Sequence, residues 1–183
     1  MRALLLTAAA IAAGCTGVAT TIDTGYDLEA VTTYAWKEPP RVVGPAEPDE
    51  QQDVVRHIQK RTDYLLQRRG LRQVEKADAQ VVITATMRVD VAVQHNDPQF
   101  AIYVAEEYEQ ATLRIEVFDR LERQQVWSGE RGDRLRFVSR ALGGTTTHFA
   151  PIDSAREWHV EAMVQRVLAA LPLREPPPEP DAR

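Results

Sequence analysis

Residues 81–93 read VVITATMRVDVAV, and this stretch decides the fold. Every second side chain from Val81 to Val93 is apolar, whereas most of those between them are polar. Alternation with a period of two is typical of a β-strand with one buried face and one solvent-facing face. At about 3.3 Å per residue the strand would be roughly 43 Å long, so we expect it to be bent or bulged. The pattern predicts the central strand of an antiparallel sheet.

Shorter runs of β-branched and alternating residues predict the strands that accompany this central strand. They lie at residues 18–23, 32–36, 112–119 and 125–130, with a short edge strand at 71–75. The connection between the strands at 112–119 and 125–130 is short, which predicts a hairpin.

Two amphipathic helices complete the predicted elements. The first covers residues 51–69 and ends at Gly70, as helices commonly do. The second is capped by Ser154, with Glu157 completing a capping box, and it stops before Pro172. Both carry apolar side chains at helical spacing, which predicts one buried stripe on each. The stripes comprise Val54, Val55, Ile58, Thr62, Leu65 and Leu66, and then Val160, Met163, Val164, Val167, Leu168 and Leu171.

The segments between these elements are marked by proline and glycine. Residues 39–50 are predicted to be a loop, and residues 173–183 a disordered proline-rich tail. No internal repeat appears, so residues 20–172 are assigned to a single domain. The predicted fold class is α+β, with one antiparallel, strongly bent β-sheet and two main helices packed on one face.

The composition of the chain excludes several classes of function. Its 183 residues are 44% hydrophobic and 27% charged, which is ordinary for a globular domain, and the formal net charge is −5. An acidic chain without a basic run lacks the charge pattern of a nucleic-acid-binding protein. It also lacks the polybasic patch that binds anionic lipid. Cys15 is the only cysteine, so no internal disulfide can form.

The first fifteen residues are typical of an export signal. Arg2 precedes an apolar run at residues 3–11, which is too short to span a bilayer as a helix. The sequence AAGC at residues 12–15 resembles a bacterial lipobox. The resemblance implies that residues 1–14 are a signal peptide, cleaved before Cys15, and that this cysteine then carries acyl chains. An ordinary secretory signal, cut at a small-x-small site within residues 8–12, is the alternative.

The lipobox interpretation also predicts where the domain lies. Residues 15–19 would form the lipidated cysteine and a short tether, and four residues reach at most about 13 Å. The membrane would then be a partner through the anchor at Cys15. Such lipoproteins are sorted by the residue after the cysteine, and Thr16, in place of an aspartate, predicts the periplasmic face of the outer membrane.

Several short motifs occur along the chain in a fixed order and together span most of residues 15–172. They are TYAW at 33–36, RGL at 69–71, KADAQV at 76–81, LxIxVxD at 113–119, QVWxG at 125–129 and ALP at 170–172. In this order they resemble a bacterial lipoprotein family known as domain of unknown function 4136. The resemblance implies an α+β lipoprotein of the cell envelope, and it implies no activity.

A search for catalytic and cofactor-binding patterns finds none. No pair of histidines has the spacing of a metal-binding helix, and a lipidated cysteine cannot act as a nucleophile. Nucleophile-elbow, phosphate-loop and dinucleotide-binding motifs are missing, and the GGTT at 143–146 is interpreted as a flexible loop. We therefore predict no enzyme activity, metal or cofactor. The residues considered were His57, His95, His148 and His159 for a metal, and Asp90, Glu106, Glu107 and Glu109 for a carboxylate pair.

Two functions remain open after this search. The first is a non-enzymatic interaction or structural module, anchored in the envelope and contacting an envelope protein or the membrane. The second is a binder of a small apolar or lipid-like ligand held between the sheet and the helices. Four aromatic residues are the candidates for a ligand-binding or partner-binding surface, although packing in the core is their default role. They are Trp36, Phe100, Trp127 and Trp158.

Overall fold

The computed structural model describes residues 17–45, 48–95, 104–141 and 152–173. These residues form an α+β fold with one seven-stranded sheet and two α-helices. The helices are α1 (Pro48–Arg68) and α2 (Ile152–Ala169). The strands are β1 (Ala19–Ile22), β2 (Thr33–Trp36), β3 (Arg41–Val43), β4 (Arg72–Gln73), β5 (Val81–His95), β6 (Val104–Asp119) and β7 (Gln125–Ala141).

The sheet is mixed, with the order β1-β7-β6-β5-β2-β4 and with β3 also paired to β5. In the order β1, β7, β6, β5 each strand is antiparallel to its neighbour, whereas β2 and β3 run parallel to β5, and β4 runs parallel to β2. The prediction of a purely antiparallel sheet is therefore wrong. Parallel neighbours require a crossover connection, and α1 provides it between β2 and β5. The strong bend stays a prediction.

The three long strands form the centre of the sheet. β5 pairs with β6 without a break from Val81 opposite Asp119 to His95 opposite Ala105. The pairing of β6 with β7 shifts register between residues 109 and 110 and again between 117 and 118. The predicted hairpin is present, but both of its strands are longer than the sequence indicated, because β6 begins at Val104 and β7 continues to Ala141.

The alternation that predicted β5 is confirmed over most of its length. From Val81 to Val89 every second side chain is buried in one core cluster together with residues of both helices. Val91 lies on the same face but is 53% exposed. The helices therefore cover this face only as far as Val89, and the prediction that Val91 is buried is wrong.

The two helices lie side by side on this face and run in the same direction. Arg61 near the middle of α1 donates a hydrogen bond to Gln165 near the middle of α2, over 2.7 Å. At the end of both helices the Arg69 guanidinium donates to the carbonyls of Leu168 and Leu171, over 2.8 and 3.0 Å. Burial lowers the pKa of Arg69, because the charged form loses water. Both carbonyls lie at the end of α2 and also accept a backbone amide, from Leu171 and Leu173, so Arg69 adds a second bond to each.

The predicted helix stripes are confirmed, and the predicted boundaries are less accurate. All six apolar residues of the α2 stripe are buried, and four of the six in α1 are buried. Gly70 ends α1 with φ 85°, as predicted. Helix α1 begins earlier than predicted, at Pro48. Helix α2 begins at Ile152, so Ser154 lies within its first turn, and the predicted capping box is wrong.

The prediction that residues 39–50 are a loop is also wrong, because β3 lies within this range. This strand has only three residues and follows two prolines, so it gives no alternating pattern. The predicted edge strand at 71–75 is confirmed as β4. The predicted signal sequence, the predicted loop at 143–146 and the predicted tail lie outside the described residues, except for residue 173. Within the described ranges no helix is both long and apolar enough to cross a bilayer.

Candidate functional site

The aromatic residues predicted as a ligand or partner surface occupy different environments. Trp127 is 1% exposed and belongs to the core, and Trp36 is half-buried on the same side of the sheet. Trp158 is 64% exposed on α2, where its ring meets the edge of His159 with 5.1 Å between centroids. Phe100 lies outside the described residues. Neither of the two surface depressions described below is lined by a tryptophan.

The Trp127 side chain takes the space that a side chain at position 129 would need. A Cβ built on Gly129 would lie 2.5 Å from Cη2 of Trp127 and 3.0 Å from Cγ1 of Val167 on α2. The indole ring therefore fits between β7 and α2 because Gly129 has no side chain. This geometry makes Trp127 a core residue.

Trp36 has a structural role that it shares with Tyr34 and with Asp63 on α1. The Tyr34 hydroxyl and the Trp36 indole N–H both donate to Oδ1 of Asp63, over 2.8 and 2.9 Å. Tyr34 is fully buried, and this burial together with the bond to Asp63 raises its pKa well above the usual range. The carboxylate thus attaches α1 to β2, and both of its aromatic partners point to the same face of the sheet.

Apolar side chains fill the space between the sheet and the helices. Met87 and Leu113 on the sheet and Met163 on α2 have no exposed surface. A shallow groove of about 170 Å³ lies between the ends of α1 and α2, lined by residues such as Leu65, Arg69 and Leu168. It is too small for a typical ligand, because ligand pockets usually have volumes of about 300–1,000 Å³.

A larger depression of about 560 Å³ lies on the opposite face of the sheet, beside the turn from β6 to β7. It is lined by four cationic side chains, one carboxylate and three apolar side chains, and we call it the basic pocket. Its lining residues are Lys37, Lys76, Ala77, Val82, Phe118, Asp119, Arg120 and Arg123.

The apolar part of the basic pocket is built by neighbouring strands. Val82 of β5 lies directly opposite Phe118 of β6, and both point away from the helices. There they pack with Ala35 and Ala79 in a small second cluster. The Lys37 ammonium lies 4.4 Å from the centroid of the Phe118 ring, a distance typical of a cation–π contact.

Two of the four cationic side chains are held by backbone carbonyls. The Lys76 ammonium donates to the Lys37 carbonyl over 3.1 Å, and Nε of Arg120 donates to the Ala79 carbonyl over 2.8 Å. Arg123 is in the left-handed region, with φ 58°. Among the described residues, none of the four cations forms an ion pair with an acidic side chain.

The single carboxylate of the basic pocket is engaged in the turn. Oδ1 of Asp119 accepts bonds from the amides of Leu121 and Glu122, over 2.8 and 2.7 Å. The Tyr26 hydroxyl also bonds to this side chain, and burial followed by this bond raises the pKa of Tyr26 to about 12. Four cations and one carboxylate give the pocket a formal charge of about +3, on a chain whose net charge is −5.

Sequence reasoning missed the basic pocket, because its cations are distributed over three separate connections. Lys37 directly follows β2, Lys76 precedes β5, and Arg120 and Arg123 lie in the hairpin turn. The sequence did show that each of these cations adjoins the end of a strand or lies in the turn between two strands. Predicting their proximity required the parallel pairing of β2 with β5, which the sequence analysis did not predict.

No group of three metal-ligating side chains occurs within the described part of the chain. Of the histidines considered for a metal, His57 and His159 are on different helices, and His57 is 3.5 Å from Glu161. His148 and the side chain of His95 lie outside the described residues.

Comparison with known proteins identifies the family. The family model described as a domain of unknown function, DUF4136, matches residues 18–173. The chain belongs to the DUF4136 family. No curated protein matches the chain at a significant level.

Solved structures give distant similarities to this DUF4136 chain. The PelC dodecamer from Paraburkholderia phytofirmans has 13% identity and a TM-score of 0.44, covering 86% of this chain and 98% of that one. A minor lipoprotein from Acinetobacter baumannii has 10% identity and a TM-score of 0.39, with coverages of 76% and 91%. Lipoprotein GNA1162 from Neisseria meningitidis has 11% identity and a TM-score of 0.38, with coverages of 76% and 99%.

Proposed function

We propose that this DUF4136 protein is a lipid-anchored protein of the bacterial cell envelope that acts by binding and catalyses no reaction. The observation that carries the proposal is that Val18 is only 3% exposed, although it follows Cys15 by three residues. The folded domain therefore begins directly after the proposed anchor. Residues 1–14 could be removed without taking any described residue from the core.

Two partly buried carboxylates favour binding over catalysis. Asp63 accepts bonds from Tyr34 and Trp36, and Asp119 accepts bonds from backbone amides of its own turn. A general acid or base needs a carboxylate that can reach a substrate. Both side chains instead hold elements of the fold together.

The proposed anchor would hold the domain close to a membrane, and the residue after it bears on which membrane this is. Three acyl chains on Cys15 would bind a bilayer far more firmly than one, because each buried methylene contributes about 0.8 kcal/mol. Thr16 at the sorting position is consistent with the outer membrane. The domain would then lie close to the periplasmic face, within about 13 Å of the lipid.

Expression of the full chain in a Gram-negative host tests this proposal. We expect the wild-type protein to appear in the outer-membrane fraction, with an acylated N-terminal cysteine detected by mass spectrometry and with processing blocked by globomycin. The Cys15→Ser variant should lose the acyl groups and the membrane association. Thr16→Asp is the matched control, because it should keep the acyl groups and move the protein to the inner membrane. An unmodified thiol on a freely soluble periplasmic protein would contradict the proposal.

A further inference from the structure

We propose that the basic pocket binds an anionic amphiphile, in which a phosphate, carboxylate or sulfonate group is joined to an apolar or aromatic body. This names the ligand class for the binding function proposed above. The volume of about 560 Å³ is within the range usual for small-molecule sites.

The charge of the pocket selects an anion. Within the described residues, Lys37, Lys76, Arg120 and Arg123 have no acidic partner, and the one carboxylate in the lining, Asp119, already accepts bonds from its turn. An anionic group would supply the missing partner. Arg120 is oriented for this role, because its Nε is bound to the Ala79 carbonyl while the guanidinium carries further N–H donors.

The apolar lining requires a second part of the ligand. Phe118 is partly buried and lines the pocket together with Val82 and Ala77, so an apolar or aromatic body placed against them would lose contact with water on that side. A bare inorganic anion would leave this surface uncovered. A neutral apolar molecule would leave the cations without an anionic partner. The pocket therefore favours a molecule that carries both groups.

The position of the pocket favours a soluble ligand over a bilayer lipid. β1 begins at Ala19, opposite Glu130, and runs towards the hairpin turn. The pocket adjoins Phe118, which is opposite Gln125 on β7, five residues or about 17 Å nearer the turn than Glu130. The pocket therefore opens at the end of the sheet away from Ala19, the residue at which β1 begins.

Calorimetric titration of the purified full chain carrying Cys15→Ser tests the proposal. The probes are phenyl phosphate, inorganic phosphate and benzyl alcohol. We expect phenyl phosphate to bind about tenfold more tightly than either of the others, and its affinity to fall between 20 and 200 mM salt because exposed charges are screened over about 10 Å. Equal affinity for all three probes, or no binding, would overturn the proposal.

Two variants remove charge from the pocket without removing core contacts. Lys76→Gln and Arg123→Gly should each weaken phenyl phosphate binding by roughly two- to five-fold, as expected for exposed ion pairs. Arg123→Gly should not lower the melting temperature, because glycine adopts the left-handed backbone of position 123 without strain. Lys60→Gln is the matched control, since it removes the same charge from the exposed surface of α1. A loss of the same size in the control would overturn the assignment to the pocket.

Vesicle flotation distinguishes the two sources of such an anion. The Cys15→Ser chain should not float with phosphatidylglycerol vesicles, and soluble phenyl phosphate should bind. The proposal would be overturned in favour of a membrane surface by two results together. The chain would float with the vesicles and lose flotation in Lys76→Gln and Arg123→Gly, and it would not bind phenyl phosphate. The titration does not depend on acylation, so failure of the anchor and failure of the pocket can be distinguished.

Discussion

The substitution Gly129→Ala tests how tightly β7 and α2 are packed. A Cβ at position 129 would lie 2.5 and 2.7 Å from two atoms of the Trp127 ring and 3.0 Å from Val167. Distances below 3.0 Å are not tolerated, so the indole or the helix must move. Trp127 is buried and Val167 has no exposed surface, so neither has free space to enter.

The expected cost follows from overpacking of a closed core. Extra methyl groups in well-packed interiors typically destabilise by about 1–3 kcal/mol. Two ring contacts and one helix contact are affected at once, so we expect about 2–3 kcal/mol. For a chain of this size, that corresponds to a fall of roughly 4–12 °C in the melting temperature.

The matched control is Gly132→Ala, three residues further along the same strand. A Cβ there would have no neighbour closer than 3.8 Å. Because alanine restricts the unfolded chain more than glycine, this variant should be neutral or slightly more stable. Urea denaturation of both variants, monitored by tryptophan fluorescence and by circular dichroism, measures the difference.

A double-mutant cycle with Trp127→Phe tests the cause directly. Phenylalanine lacks the indole atoms that the new Cβ would meet, so Gly129→Ala should cost at least 1 kcal/mol less in that background. The packing argument is refuted if Gly129→Ala changes stability by less than about 0.5 kcal/mol. It is also refuted if the two substitutions are additive.

Three further predictions concern the polar contacts of the fold. Asp63→Ala should destabilise by about 2–3 kcal/mol in urea, because it leaves the buried Tyr34 hydroxyl and the half-buried Trp36 indole N–H without their acceptor, whereas Tyr34→Phe should cost only about 1 kcal/mol. Above pH 10 the unfolded chain loses its tyrosine protons, while native Tyr26 keeps its proton up to a pKa of about 12, so stability should fall from pH 10 to 12 and fall less in Tyr26→Phe. Arg69→Met should cost about 1–2 kcal/mol by thermal denaturation, and an unchanged melting temperature would show that solvent replaces its bonds to α2.

Periodicity in the sequence predicted the parts of the fold that have one buried face. The alternation of β5 and the stripes of α1 and α2 all point into the same core, as expected. The prediction failed at Val91 because a period records which face a residue occupies and does not record how far the covering layer extends. It also failed for β3, because three residues are too few to show a period.

The direction of strand pairing could not be predicted in the same way. Val82 and Ile83 face opposite sides of the sheet, and this is true whether the neighbouring β2 is parallel or antiparallel. The choice depends on the crossover through α1, which is a long-range property of the chain. The basic pocket depends on that choice, since it brings Lys37 next to Lys76, so the candidate site was not predicted either.

The pairing of elements that are far apart in the sequence has a consequence for folding kinetics. β1 completes the sheet beside β7, and α1 meets α2 through residues 104 positions apart, such as Arg61 and Gln165. The loop-closure entropy of such distant partners must be overcome before their contacts contribute, which slows folding. A nascent chain that ends before residue 152 lacks Val160 and Met163, and therefore much of the apolar interior. We expect it to stay unfolded until residues 152–171 have been synthesised, and therefore to remain in the condition that a translocation pore accepts if the proposed export signal is used.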